Sequence, residues 1–166
     1  IEMRTVAFLI STSLFFGSLY IEPNKKKVDE IIVLKSKRKL QLYFKGVKVK
    51  QYSISLGGNP IGHKQFEGDE KTPEGSYFID GKNPNSKYYK NLGISYPNSK
   101  DKAFARSKGR NPGGAIKIHG LPNNKPWLGK LHLLKDWTHG CIAVTNKQMD
   151  EIYSSVKIGT KITILP

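Results

Sequence analysis

The only cysteine of the chain, Cys141, sits in Trp137-Thr138-His139-Gly140-Cys141, and a second histidine-glycine pair, His119-Gly120, precedes it. A thiol is a weak nucleophile until a base takes its proton or a positive neighbour lowers its pKa. Both histidines are candidate bases. In an extended segment residues i and i+2 share a face, so His139 and Cys141 would line one site. Gly140 between them would let a substrate approach the backbone and would offer its N–H to an oxyanion. These residue types describe Cys/His acyl transfer, which requires neither metal nor cofactor. Two other readings stay open on spacing alone. The run Ile142-Ala143-Val144 after the cysteine also suits an inert buried thiol. His119, His132, His139 and Cys141 together would fill four zinc positions, although none of them are paired at the helical i, i+4 spacing. His132, inside Lys130-Leu131-His132-Leu133-Leu134, reads as packed, and His63 reads as a loop residue or a substrate contact.

The rest of the composition narrows the setting. In 166 residues there are 28 Lys and Arg against 13 Asp and Glu, a formal charge of +15. Such a charge suits a polyanionic partner, whether nucleic acid, anionic lipid or an anionic wall polymer. It is spread along the chain: residues 24–50 hold ten basic residues against two acids, and residues 100–135 hold nine against one. One cysteine excludes an internal disulfide framework. Val6 to Leu19 is an uncharged apolar run of 14 residues behind Met3-Arg4, inside the length of a signal-peptide core and short of a membrane span. Residues 1–24 are therefore read as a signal peptide or N-terminal anchor and residues 25–30 as a basic linker. That places the folded domain at residues 31–166, exported to the periplasm or cell envelope.

The elements that must position these residues are mostly strands. Ile31 to Leu34 is an apolar run, and Leu40, Leu42 and Phe44 alternate with polar residues ahead of a Lys45-Gly46 turn. Val47 and Val49 are out of phase with Tyr52, Ile54 and Leu56, which predicts a bulge near Lys50-Gln51. Further strands are expected at Ser76–Asp80, Ala115–His119, Cys141–Val144 and Lys161–Leu165. Thr145 with Gln148 forms a capping box ahead of Met149, Ile152, Tyr153 and Val156 at helical spacing. Residues 81–114, rich in Gly, Pro, Asn and Lys, read as a long insertion with a strand-like stretch at Leu92 to Tyr96. The predicted class is mainly β with one or two short helices.

The order of motifs also carries a resemblance. His119-Gly120, then Thr138-His139-Gly140-Cys141, with Gly68 to Tyr77 (GDEKTPEGSY) upstream, resembles the signature of the L,D-transpeptidase catalytic domain family, the YkuD-type fold, over roughly residues 28 to 166. The resemblance implies a β-sandwich or barrel-like fold and an enzyme acting on peptidoglycan stem peptides at the L,D bond before D-Ala. It implies Cys141 as nucleophile and His119 as base, held by the Gly120 carbonyl. The N–H groups of Gly140 and Cys141 would hold the oxyanion, with His139 or Thr138 assisting. Thr138, Trp127, Trp137, His63 and Asn146 are the expected substrate contacts, and residues 121–136 the expected lid. The acyl group would pass to an amine, giving a 3-3 cross-link or protein attachment. Ala143 stands where many members carry Arg or Asn, and Cys141 to Asn146 resembles the YafK-like subgroup. Some relatives in that subgroup are hydrolases, so hydrolysis at the same position (an L,D-carboxypeptidase, or release of wall-linked protein) is the alternative.

The expected chain is a monomer that needs no cofactor. Its partners are stem peptides and anionic envelope polymers, and it meets the membrane only through an uncleaved N-terminus. A different class, a basic module stacking bases on Tyr88-Tyr89-Lys90 and Tyr43-Phe44-Lys45, carries no nucleic-acid motif.

Overall fold

A computed structural model describes residues 27–166, so the reading of residues 1–24 as a signal or anchor lies outside the described residues. Of the stretch read as linker, Val28 packs into the core and Glu30 opens the first strand. In β1 (Glu30–Leu34) and β2 (Lys39–Phe44), Ile31, Val33, Leu40 and Leu42 all turn inward, as their period of two requires. Lys45 and Gly46 both take positive φ, 50° and 75°, which gives the two-residue hairpin twist that leads into β3 (Val47–Ser53). The bulge is present but falls one residue early. Leu42 pairs with Lys50 and Tyr43 with Lys48, leaving Val49 as the extra residue.

The stretch read as a long insertion is largely ordered into elements. β4 (Gly75–Ser86) runs on past Asp80 and turns at Lys87-Tyr88 into β5 (Tyr89–Ile94). α1 (Ser99–Ser107) follows, started by a capping box in which Asn98 accepts from the Lys100 and Asp101 N–H groups and Asp101 accepts from the Asn98 N–H. α1 buries only Asp101 and Ala105, so it has no apolar stripe for periodicity to find. β6 (Lys117–His119) and β7 (Ile142–Ala143) are shorter than expected. α2 (Asn146–Ser155) starts at the Thr145–Gln148 box and buries Met149 and Ile152, and β8 is Lys161–Leu165.

The eight strands form one mixed sheet in the order β3-β2-β1-β8-β4-β5-β6-β7. The β1/β8 and β6/β7 pairs are parallel and the other neighbours antiparallel. The two ends of that order meet. Beyond β3 the chain bridges from Ser55 to Ala143 and from Gly57 to Thr138, next to β7 at the opposite edge. The sheet thus curls into a closed, barrel-like body around one apolar core. Among the described residues no helix is long and apolar enough to cross a membrane.

Candidate active site

His119 ends β6 and is buried, with 4% of its surface exposed. Its Nδ1 lies 2.7 Å from the Gly120 carbonyl oxygen. A carbonyl only accepts, so Nδ1 carries the proton and Nε2 keeps its lone pair. The ring lies 4.7 Å from the Tyr88 ring and 5.7 Å, edge to face, from that of Trp137. Burial among these aromatics lowers the His119 pKa to about 4; the Gly120 hydrogen bond opposes the shift, and the charges of His132 and Lys117 add to it. His119 is therefore a neutral base across the physiological range.

Cys141 lies on the same face one strand away, since the register that pairs Ile118 with Ile142 and His119 with Ala143 sets it opposite Lys117. Its Sγ is 3.7 Å from the carbonyl oxygen of Ala115, itself at φ 55°. Burial pushes the thiol pKa up, and this outweighs the Lys117 N–H aimed at the sulfur and the charges of Lys117 and Lys64. The resting pair is a neutral thiol beside a neutral imidazole. Alkylation of the free protein by iodoacetamide is accordingly expected to be slow at neutral pH, with a rate still rising above about pH 9. A plateau reached below pH 7 would show a preformed thiolate instead.

The turn carrying the cysteine is fixed from three sides. Thr138 Oγ1 donates to the Cys141 carbonyl at 2.7 Å and accepts the Gly140 N–H at 3.1 Å. Asp136 accepts the Leu56 N–H and takes a two-pronged hydrogen bond from Arg38. Behind the turn lies the TPxG segment, held by Thr72 Oγ1 accepting the Gly57 N–H and by buried Lys35, which donates to Gly62 O, Thr72 O and Glu74. Gly140 has φ 123°, and a Cβ there would stand 2.6 Å from the Lys71 carbonyl oxygen. Gly140→Ala is expected to cost about 1–3 kcal/mol and to lower the melting temperature by roughly 3–10 °C, read by thermal denaturation.

This geometry corrects two expectations. Residues 139–140 bend rather than extend, so His139 and Cys141 do not follow strand alternation. Both still line the cleft, with exposed His139 at 3.5 Å from Glu70. The Gly140 N–H is engaged by Thr138, so only the Cys141 N–H remains without an acceptor among the described residues.

The cleft encloses about 520 Å³ and is lined by Cys141, His119, Trp137, Thr138 and His139. It also takes in Tyr88, an aromatic that the competing binding-module reading would use for base stacking. Trp137 presents a buried Nε1–H that has no partner among the described residues. The other expected contacts lie elsewhere. Trp127 is 71% exposed on a 3-10 segment (Pro126–Leu134), and none of residues 121–136 lines the cleft, so that stretch is not a lid here. His63 borders a separate cavity, where Nδ1 accepts the Glu74 N–H and Nε2 donates to Asp101. Asn146 works from behind, accepting the Leu121 N–H just after His119-Gly120. His132 packs against Ser55. Among the described residues no group of three or more His, Cys, Asp and Glu side chains is placed to hold a metal ion.

A histidine at a strand end and a cysteine just ahead of the neighbouring parallel strand, inside a closed mixed sheet, are the features of one known class of domain. The chain belongs to the YkuD family, the L,D-transpeptidase catalytic domain, whose model matches residues 29–164. It is 33% identical over 132 residues to YafK of Escherichia coli K12, a protein named as an L,D-transpeptidase only provisionally. That alignment covers 76% of this chain and 46% of YafK, so the chain spans about half the length of the curated relatives it matches. Among solved structures it is similar to the helical cell shape determining protein Pgp2 of Campylobacter jejuni (TM-score 0.65, 28% identity, 84% of this chain and 48% of that one). It is also similar to Bd1075 of Bdellovibrio bacteriovorus (TM-score 0.58, 25% identity, 87% and 50%).

Proposed function

We propose that this chain is a cysteine acyltransferase of the cell envelope that cleaves the L,D bond before D-Ala in peptidoglycan stem peptides. The observation that carries the reading is the Nδ1 hydrogen bond of His119 to Gly120 O, which leaves a basic Nε2 in the same cleft as the one thiol of the chain. Nε2 takes the thiol proton as sulfur attacks the carbonyl carbon. The S–C bond forms, and the Cys141 N–H donates to the developing oxyanion. The C–N bond then breaks and the proton passes from His119 to the amine of departing D-Ala, leaving a thioester on Cys141. An amine from a second stem peptide, or water, resolves the thioester. The spread of charge, +15 overall, favours encounter with anionic envelope polymers.

The test is incubation of the full chain with tetrapeptide muropeptides, followed by mass spectrometry. Dimers with a 3-3 link would establish transfer, and tripeptides alone would establish hydrolysis at the same bond. Unchanged substrate with a folded protein and an intact thiol would overturn the reading for these substrates.

A further inference from the structure

Two ammonium groups in the cleft have no part in the chemistry above. Lys117 and His119 project from the same face of β6 into the cleft, while Ile118 between them is buried in the core. Lys87 enters from the turn joining β4 and β5. Among the described residues neither Lys117 nor Lys87 forms an ion pair, although Lys50, Lys64, Lys90 and Lys161 each do. Among the described residues no Asp or Glu lines the cleft, and nearby Glu70 is turned to His139. The cross-strand register continues the row: Asn91 pairs with His119, and Asn83 pairs with Asn91, so that both amides reach the cleft. Asn91 is 5% exposed, and its side chain makes no hydrogen bond among the described residues. Two lysines without a counter-ion and an unused amide lining one cleft make a site that a carboxylate completes.

We infer that Lys117, with Asn91 on the neighbouring strand and Lys87 in the β4–β5 turn, docks a carboxylate of the acyl donor and makes the cleft selective for stem peptides bearing a free one near the scissile bond. The inference rests on the acyltransferase reading and names a substrate feature which that reading leaves open. Two carboxylates qualify by position: the side-chain carboxylate of a diaminopimelate at the third residue, and the C-terminal carboxylate of the departing D-Ala. If the diaminopimelate carboxylate is the one docked, a stem with lysine at the third position would bring an ammonium without the carboxylate that offsets it in diaminopimelate. Lys117 also acts on the reacting groups, since its charge lowers the pKa of both His119 and the Cys141 thiol.

The test measures binding apart from turnover. Calorimetry on the full-chain Cys141→Ala protein compares three tetrapeptides: the free acid with diaminopimelate, its side-chain amide, and its C-terminal amide. One amide should bind roughly 10- to 100-fold more weakly than the free acid, and which one identifies the carboxylate. Lys117→Met should weaken the free acid by a similar factor without adding to the loss already caused by that amide, and Lys117→Arg should restore most of it. Circular dichroism verifies that each variant is folded. Equal affinity for all three peptides, or equal weakening of all three by Lys117→Met, would overturn the inference. Turnover by the unmodified chain with no Lys117 dependence would overturn the inference and leave the acyltransferase reading standing. Carboxylate-dependent binding without turnover would do the reverse, and absence of both would overturn both.

Discussion

Replacing Cys141 with alanine is expected to reduce D-Ala release from tetrapeptides by about 10⁴-fold or more, while the protein stays folded. The size of the effect follows from the step removed. Without sulfur no acyl-enzyme forms, and water would have to attack the amide directly with only His119 and one backbone donor to help. The fold should tolerate the change because the turn is not built on the thiol. Its hydrogen bonds run through Thr138, and the Asp136–Arg38 pair ties it to the turn between β1 and β2. Among the described residues the only group that Sγ approaches as a donor is the Ala115 carbonyl at 3.7 Å, a weak contact. The measurement is D-Ala release together with an intact-mass search for the acyl-enzyme. An alanine variant that retained a tenth of the activity would remove Cys141 from the reaction.

His119→Gln is expected to lower D-Ala release by roughly 10²- to 10⁴-fold and, separately, to change how stability depends on acid. The pKa of His119 is held down to about 4 in the folded protein, against about 6.5 in an unfolded chain. Below the unfolded value the unfolded chain binds a proton that the folded state excludes. The folded state therefore loses stability as pH falls from about 6.5 to about 4, by at most roughly 3 kcal/mol. Buried His132, whose pKa is also lowered by desolvation, contributes in the same direction and remains in the variant. Denaturant midpoints at about pH 7 and pH 4.5 should consequently converge in His119→Gln relative to the unmodified chain. Equal acid sensitivity in both proteins would mean that folding does not lower the His119 pKa. The alkylation profile of Cys141 bears on the same pair from the other side.

What the sequence made legible was whatever a period or a short motif could carry. Leu40 and Leu42, the Lys45-Gly46 turn, the Thr145–Gln148 box and β8 follow from local rules, and the structure has them where those rules put them. β4 beyond Asp80 was hidden because its outer half is Asn83, Pro84 and Asn85, which carry no apolar alternation. α1 was hidden because a helix that buries little more than Ala105 has no stripe to detect, although Asn98 three residues before Asp101 was a capping signal that could have found it. The Cys141, His119 and Trp137 cluster was accessible from two short motifs. Tyr88 and Asn91 were not. They reach the cleft through the β4–β5 hairpin and its pairing with β6, and such long-range registers leave no mark in local spacing. The same limit explains why Trp127 and His63 looked eligible as substrate contacts, since residue type alone says nothing about which way a loop faces.

The meeting of the two ends of the sheet, at Ser55–Ala143 and Gly57–Thr138, has a consequence for when the thiol becomes chemically distinctive. Residues 55 and 143 are far apart in sequence, and such contacts are late and entropically costly to form. The turn bearing Cys141 lies at that seam, so its burial against Ala115 and Lys117 belongs to the completed fold rather than to any local piece of chain. Until the seam shuts, Cys141 is an ordinary solvated cysteine with no neighbour to direct it. Closing the seam thus exchanges a freely solvated thiol for one that is buried and neutral at rest but shares a cleft with His119, so nucleophile and base meet only in the completed fold.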